Sequence, residues 1–153
     1  MLGDAYRLDG DHGRAREHYD TALAQLSTTL MASPQFRALI LTSLGHLAVS
    51  RGERAEAAAA LEEALGSALS AKDMPVVARV GVGVADLWLS RGDRTRAATV
   101  LGAAERLRGL ADRATPDTLR LTAALTGEPA LARAYAQGRT LDRADALALL
   151  GRI

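Results

Sequence analysis

The residues able to do chemistry are few, and their spacing limits what they can do. The three histidines, His12, His18 and His46, form no i, i+4 pair, and with no cysteine in 153 residues a zinc site lacks its usual ligands. Asp9-Gly10-Asp11-His12-Gly13 opens like a calcium loop, but the glycine of that loop's sharp turn is displaced and Asp20 stands where a bidentate glutamate belongs. It is more simply a turn between two helices. Gly81-Val82-Gly83, after Val76-Val77, starts like a dinucleotide-binding turn, yet Asp86 takes the place of the third glycine and the repeat described below puts the segment inside a helix. No serine lies in a nucleophile motif, and the Ser, His and Asp residues cannot be ordered into a triad. These positions predict no catalytic centre, no metal site and no cofactor, and the chain is expected not to be an enzyme.

The elements that carry these residues follow from composition. Hydrophobic residues make up 48% of the chain but aromatic ones only 3%, so alanine and leucine must build the core, as in close-packed helices. Nineteen Lys+Arg against eighteen Asp+Glu give a net charge of +1, and the basic residues are spread out, so no direct nucleic-acid partner is expected. No apolar run reaches the length of a membrane span, and MLGDAYRLDG lacks the parts of a signal peptide. Together with the absence of cysteine this predicts a soluble cytoplasmic chain with no membrane partner.

One phrase occurs three times: LDGDHGRAREHYDTAL (8–23), SRGERAEAAAALEEAL (50–65) and SRGDRTRAATVLGAAE (90–105). Its glycines are Gly10, Gly52 and Gly92, and Pro34, Pro75 and Pro116 keep a period of 41 residues. A period of this size is the mark of helical solenoids, in which one helix pair cannot bury its apolar faces until another stacks on it. Each proline suits the first turn of a helix A, with Ser33 and Thr115 as N-caps. Each glycine suits a left-handed C-cap, and Asp11, Glu53 and Asp93 suit the start of a helix B. In helix B, Ala15, Tyr19 and Ala22 recur as Ala57, Leu61 and Ala64, then as Ala97, Leu101 and Ala104, which places them on one face and lets backbones approach closely.

The order Leu-Gly-x2-Tyr, Gly-Asp/Glu, Ala-x3-aromatic/Leu-x2-Ala resembles the tetratricopeptide repeat. Leu2, Gly3 and Tyr6 match it, then Leu44 and Gly45 with Ala48 for the aromatic, then Val84, Ala85 and Trp88 more loosely. Each closing proline falls six or seven residues later than in the 34-residue repeat, so helix B or the loop after it is longer. Such long units resemble the sensor parts of large bacterial transcription regulators. VLGAAERLRG followed by LTGEPALARAYAQGRTLDRADALALL is similar to the C-terminal end of large actinobacterial ATP-dependent regulators of the LuxR and antibiotic-regulatory kinds.

The resemblance implies an all-α, right-handed tetratricopeptide-like superhelix of antiparallel hairpins with repeats of about 41 residues, one domain over 1–153. Units of 1–33, 34–74 and 75–115 would precede a reduced unit with a capping helix in 116–153, with Gly138-Arg139-Thr140 breaking the chain before a last helix near 141–150. Met1 falls midway through the first helix A, so a fragment of a longer protein is expected, and an uncovered patch around Leu2, Tyr6, Tyr19 and Leu23 would favour a homodimer.

On this frame the family's ligand-facing positions are Asp4 and Arg7, then Leu39, Thr42, His46 and Val49, then Arg79, Val82, Asp86 and Leu89. Asp4, His46 and Asp86 share one column, one per unit. Such a column either holds a peptide or partner helix through charge-assisted bonds and shallow apolar pockets, or is an ordinary solvated helix face. The charged groups are expected to be solvated in the free protein. The implied function is a protein-interaction or effector-sensing module with a protein or peptide partner or the other domains of a parent regulator. The alternative is a free-standing scaffold.

Overall fold

The computed structural model describes residues 1–28 and 33–153, so the end of the first expected unit lies partly outside the described residues. Those residues form nine helices and no strand: α1 (Leu2–Leu8), α2 (His12–Thr28), α3 (Pro34–Ser50), α4 (Arg54–Ser70), α5 (Met74–Ser90), α6 (Arg94–Arg108), α7 (Pro116–Thr126), α8 (Pro129–Thr140) and α9 (Arg143–Leu150). The fold is all-α. None of these helices is long and apolar enough to cross a membrane.

Helices α1–α2, α3–α4 and α5–α6 pair as hairpins around one kind of turn. Gly10, Gly52 and Gly92 have φ of 83°, 77° and 86°, a left-handed conformation that a side chain would strain. In the α3–α4 turn the Gly52 amide donates to the Val49 carbonyl and the Glu53 amide to that of Ala48, the paired bonds of a Schellman cap. The amides of Asp11 and Asp93 bond back to Tyr6 and Trp88 in the same way. Asp11 and Asp93 then accept the amides of Arg14 and Arg96, satisfying first-turn donors of the next helix. Ser33 and Thr115 stand at N-cap positions, as expected, but neither hydroxyl caps its helix.

Within the hairpins, small residues on one helix receive a large one from the other. A Cβ on Gly45 would lie 2.8 Å from Leu61 Cγ, and one on Gly83 would lie 2.6 Å from Leu61 Cδ2, so Leu61 sits in a socket of two glycines from α3 and α5. Gly3 is pressed on the Tyr19 ring in the same way. The helix-B alanines Ala15, Ala57, Ala64, Ala97 and Ala104 are buried, as their spacing predicts, while Ala22 is half-buried. Tyr19 is only 1% exposed, which corrects its place in an uncovered N-terminal patch: α1 lays Gly3 over it. Tyr6 and Leu23 are half-buried and Leu2 remains exposed.

The C-terminal part departs from the expected frame. The expected break does fall just after Thr140, at Leu141 and Asp142, before α9, but Gly138 itself lies within α8, where α8 crosses α6 at contact distance, with Gly102 facing Tyr135 and Gly138 facing Thr99. Helix α9 also packs on α6 and places Leu150 against Gly81 of α5, covering the end of the core.

Between α6 and α7, Asp112 organises the connection. It accepts the Ala114 and Thr115 amides at 3.0 and 3.1 Å and the Arg108 guanidinium at 3.1 Å. Burial opposes its charge, but hydrogen bonds from Thr115 and Ala114, with Arg108 beside them, outweigh that and bring its pKa from 3.8 down to about 2. A depressed acid contributes stability above its unfolded pKa and loses it as pH falls through the folded value. Asp112→Asn should therefore be less stable than wild type by up to about 2 kcal/mol at neutral pH, with the gap closing between about pH 4 and pH 2. Thermal unfolding of both proteins across that window checks this; a gap that is independent of pH would refute it.

Candidate functional site

The inner helices α1, α3 and α5, with the start of α7, enclose a cleft of about 220 Å³. Its lining includes Asp4, Arg7, Thr42, His46 and Arg79, five of the six residues singled out in the sequence. The sixth, Asp86, lies behind His46, whose Nδ1 is 2.7 Å from Asp86 Oδ2. The cleft thus gathers the column from three hairpins. Leu39, Val49 and Leu89 do not line it, while Val82 does.

The state of these residues differs from the expectation of a solvated face. Arg7, Thr42, His46 and Asp86 are buried, Asp86 being 3% exposed, and only Arg79 is open to solvent. The cause is α7. His46 stands twelve residues after Pro34 and Asp86 eleven after Pro75, so an in-frame fourth helix would present Glu128 and Gly127 beside them. Instead the first turn of α7 arrives there with Asp117 and Arg120. Asp117 accepts two hydrogen bonds from Arg7, at 2.5 and 3.2 Å, across 110 residues of chain. Arg120 donates to Asp86 at 2.7 Å and reaches Asp117 at 3.4 Å. Asp117 Oδ1 lies 4.0 Å from His46 Nδ1.

Asp4 belongs to the same set by another route. Its Oδ1 accepts Tyr19 Oη–H at 2.9 Å and Ser43 Oγ–H at 2.8 Å, and its Oδ2 meets the terminal ammonium of Met1 at 3.0 Å. Burial works against charge on Asp4, Asp86 and Asp117, and in each case the partners win, so all three have pKa values below the ordinary Asp value. Burial likewise works against the cations of Arg7 and Arg120, and their carboxylate partners outweigh it and raise both pKa values. Burial and the neighbouring Asp4 carboxylate push the Tyr19 phenol up, so it stays a donor. Thr42 spends its hydroxyl on the Ala38 carbonyl.

His46, Asp86 and Asp117 bring one nitrogen and two carboxylate oxygens within 4.8 Å of one another, a spacing a divalent cation could use. Charge argues against it. The two guanidiniums of Arg7 and Arg120 already offset the two carboxylates, and two further positive charges would leave a buried excess. The His46–Asp86 bond also has the form of a base held by an orienting carboxylate, and the other ring nitrogen, Nε2, lies near Gly83 of α5, but the hydroxyls beside it in the cleft, Thr42 and Ser43, bond to the Ala38 carbonyl and to Asp4 rather than to His46. The arrangement is a satisfied ion network forming one wall and the floor of a polar cleft.

Comparison with protein-family models, with curated proteins and with solved structures finds no match. Function therefore has to be argued from the cleft. Sequence reasoning missed Ser43, Asp117, Thr118 and Arg120. The pair Asp117 and Arg120, spaced i, i+3 just after Pro116, was visible as a local charge pair, but only the displaced register of α7 aims it inward.

Proposed function

We propose that the chain is a protein-interaction or effector-sensing module: a tetratricopeptide-like superhelix of hairpins about 41 residues long, serving as the C-terminal regulatory part of a larger bacterial transcription regulator. The observation that carries this is the convergence of polar and charged side chains from α1, α3, α5 and α7 on one cleft, in a core otherwise built mainly of Ala, Leu and Val. Stability does not require it, since apolar residues of similar volume would pack the same space at no greater cost. A cleft assembled from separate hairpins also changes shape when they shift relative to one another, which is how an occupant would be reported to neighbouring domains. Fold class and resemblance alone would not carry this reading, because function resides in the site.

The test is photo-crosslinking in cells with a benzophenone side chain at Leu8, on the cleft rim, or at Ala59, exposed on α4. A defined adduct from position 8 that is lost on adding Arg79→Glu is the expected result. Equal adducts from both positions, or adducts from position 8 that ignore residue 79, would place the working surface elsewhere.

A further inference from the structure

One wall of the cleft carries a polar atom that the ion network leaves unused, and its chemistry narrows the ligand, an inference that rests on reading this face as an effector site. His46 lines the cleft with its side chain only 5% exposed. Its Nδ1 is 2.7 Å from Asp86 Oδ2, and the same oxygen accepts Arg120 Nη2 at 2.7 Å. Burial opposes charge on Asp86, but His46 and Arg120 hold its pKa below the ordinary value, so the shared proton sits on Nδ1. The neutral ring then presents a lone pair on Nε2. Nε2 makes no hydrogen bond among the described residues, and it is not sealed off as Arg7 Nε is, so it meets solvent through the cleft.

The groups around it leave that lone pair without a donor. Arg7 gives both Nη groups to Asp117, and its Nε is closed to solvent. The Thr42 and Ser43 hydroxyls donate to Ala38 and Asp4, and that of Thr118 turns to Asp112 at 3.4 Å. A polar atom so enclosed needs a partner, and for Nε2 it has to enter by the cleft. A ligand ammonium would add charge beside Arg7, Arg120 and the Met1 ammonium, whose carboxylates are already taken. A hydroxyl brings the donor without the charge.

Arg79 supplies the second contact. It lines the same cleft, is exposed, and has no ion-pair partner among the described residues, so it calls for one negative charge. Nε2 lies 3.8 Å from where a Cβ on Gly83 would stand, and Arg79 precedes Gly83 by four residues on α5, which sets the base of its side chain one helical turn, about 6 Å, away on the same stripe. An arginine side chain spans that distance, so a ligand's two groups can sit on adjacent carbons. Val82 lines the cleft on the same face and gives the carbon chain an apolar seat. The cleft's 220 Å³ lies below the range of drug-sized pockets, so the occupant is compact.

We propose that the cleft binds a compact hydroxy acid, its hydroxyl donating to His46 Nε2 and its carboxylate paired with the Arg79 guanidinium. Asp86 holds the ring in the tautomer that accepts, and the site therefore selects a hydroxyl-bearing acid over one that carries charge alone. Asp117 does not repel the carboxylate, because Arg7 and Arg120 already neutralise it from both sides.

Nuclear magnetic resonance titration of the ¹⁵N-labelled chain tests this at about pH 8, above the ordinary histidine range. The probes differ by one group each: lactate has both groups, propionate lacks the hydroxyl and lactamide lacks the charge, with sodium chloride holding ionic strength constant. In the free chain the His46 ring signals should show a protonated Nδ1 and a bare Nε2; a proton on Nε2 overturns the proposal before any probe is added. The expected result is a saturable shift of the Nε2 signal with lactate, at a midpoint about tenfold or more below that of either other probe. Arg79→Gln, at an exposed and unpaired position, should erase the advantage of lactate over lactamide. His46→Asn, which keeps a donor toward Asp86 and removes Nε2, should erase its advantage over propionate, and if that variant does not fold the wild-type Nε2 signal still decides. Arg54→Gln, exposed at the start of α4, should leave every midpoint unchanged. Equal midpoints for lactate and propionate, shifts that stay linear with concentration, or a lactate midpoint that ignores residue 79 would overturn the proposal. If the titration fails while crosslinking at position 8 still depends on Arg79, the cleft stands as the working surface and its ligand is not a hydroxy acid. If crosslinking fails and lactate saturates as expected, the hydroxy acid stands and the rim holds no protein partner.

Discussion

Gly138→Ala is expected to cost about 3 kcal/mol or more of stability, beyond the usual span for an added methyl group, because nothing at that contact can rotate away. A Cβ at residue 138 would lie 2.0 Å from the Thr99 carbonyl oxygen and 2.8 Å from the Ala103 nitrogen, both backbone atoms of α6. The reverse contact has the same form, with a Cβ at Gly102 falling 2.1 Å from the Tyr135 carbonyl oxygen. Either alanine must push α8 off α6, and the buried Leu131 and Ala134 of α8 would be exposed with it. Gly66→Ala provides the contrast: it is exposed in α4 with nothing within 4 Å of its Cβ, and it should stabilise the chain by about 0.4–1 kcal/mol. Urea unfolding of the three variants measures the difference. If Gly138→Ala stayed within about 0.5 kcal/mol of wild type, the α6–α8 crossing described above would be wrong.

The second large effect is expected at the clasp between the first and seventh helices. Asp117→Leu leaves the Arg7 guanidinium buried without its carboxylate, and removing one partner of a buried pair typically costs about 3–5 kcal/mol. Arg7→Met should be nearly as damaging, since Asp117 then keeps only Arg120 as a cationic partner, at 3.4 Å, beside His46. The double variant should recover much of the loss, because two apolar side chains of similar size can fill the space with no unpaired charge. A double-mutant cycle from urea unfolding should thus give a coupling of about 2 kcal/mol or more. Hydrogen exchange adds the location: both single variants should speed exchange in α1, a seven-residue helix whose only buried residues are Gly3 and Arg7. Additive costs, or unchanged exchange in α1, would mean that the pair does not close the cleft.

Much of the local structure was legible in the sequence because short-range rules fix it. Gly10, Gly52 and Gly92 had to be the turn residues, since each follows an apolar helical turn and only glycine takes positive φ without strain. The prolines at 34, 75 and 116 start α3, α5 and α7 within a residue, because a proline in the first turn loses no hydrogen bond. The small-residue face of helix B could be read from i, i+3, i+4 spacing alone, and it is buried except at the half-buried Ala22. Gly138 was misread for a matching reason: beside Arg139 and Thr140 it has the local look of a helix break, and only the neighbouring α6 backbone shows why a residue without Cβ stands there.

The candidate site divides along the same line. Asp4, Arg7, Thr42, His46, Arg79 and Asp86 were singled out because the resemblance to the tetratricopeptide repeat implies that these positions face a ligand. What they do there was settled by tertiary structure. The 41-residue proline period set the start of α7 but not its register, because register depends on where α8 finds its seat on α6 and on how Asp112 ties the connection. Those contacts join residues far apart in the chain, and no periodicity encodes them. By sending Asp117 and Arg120 rather than Gly127 and Glu128 to His46 and Asp86, they turn an expected solvated groove into a cleft with a buried ion network, lined also by Arg79, which has no ion-pair partner among the described residues. A charged side chain is solvated or buried according to what else reaches it, and that is decided by the packing of whole helices rather than by the residue's neighbours in sequence.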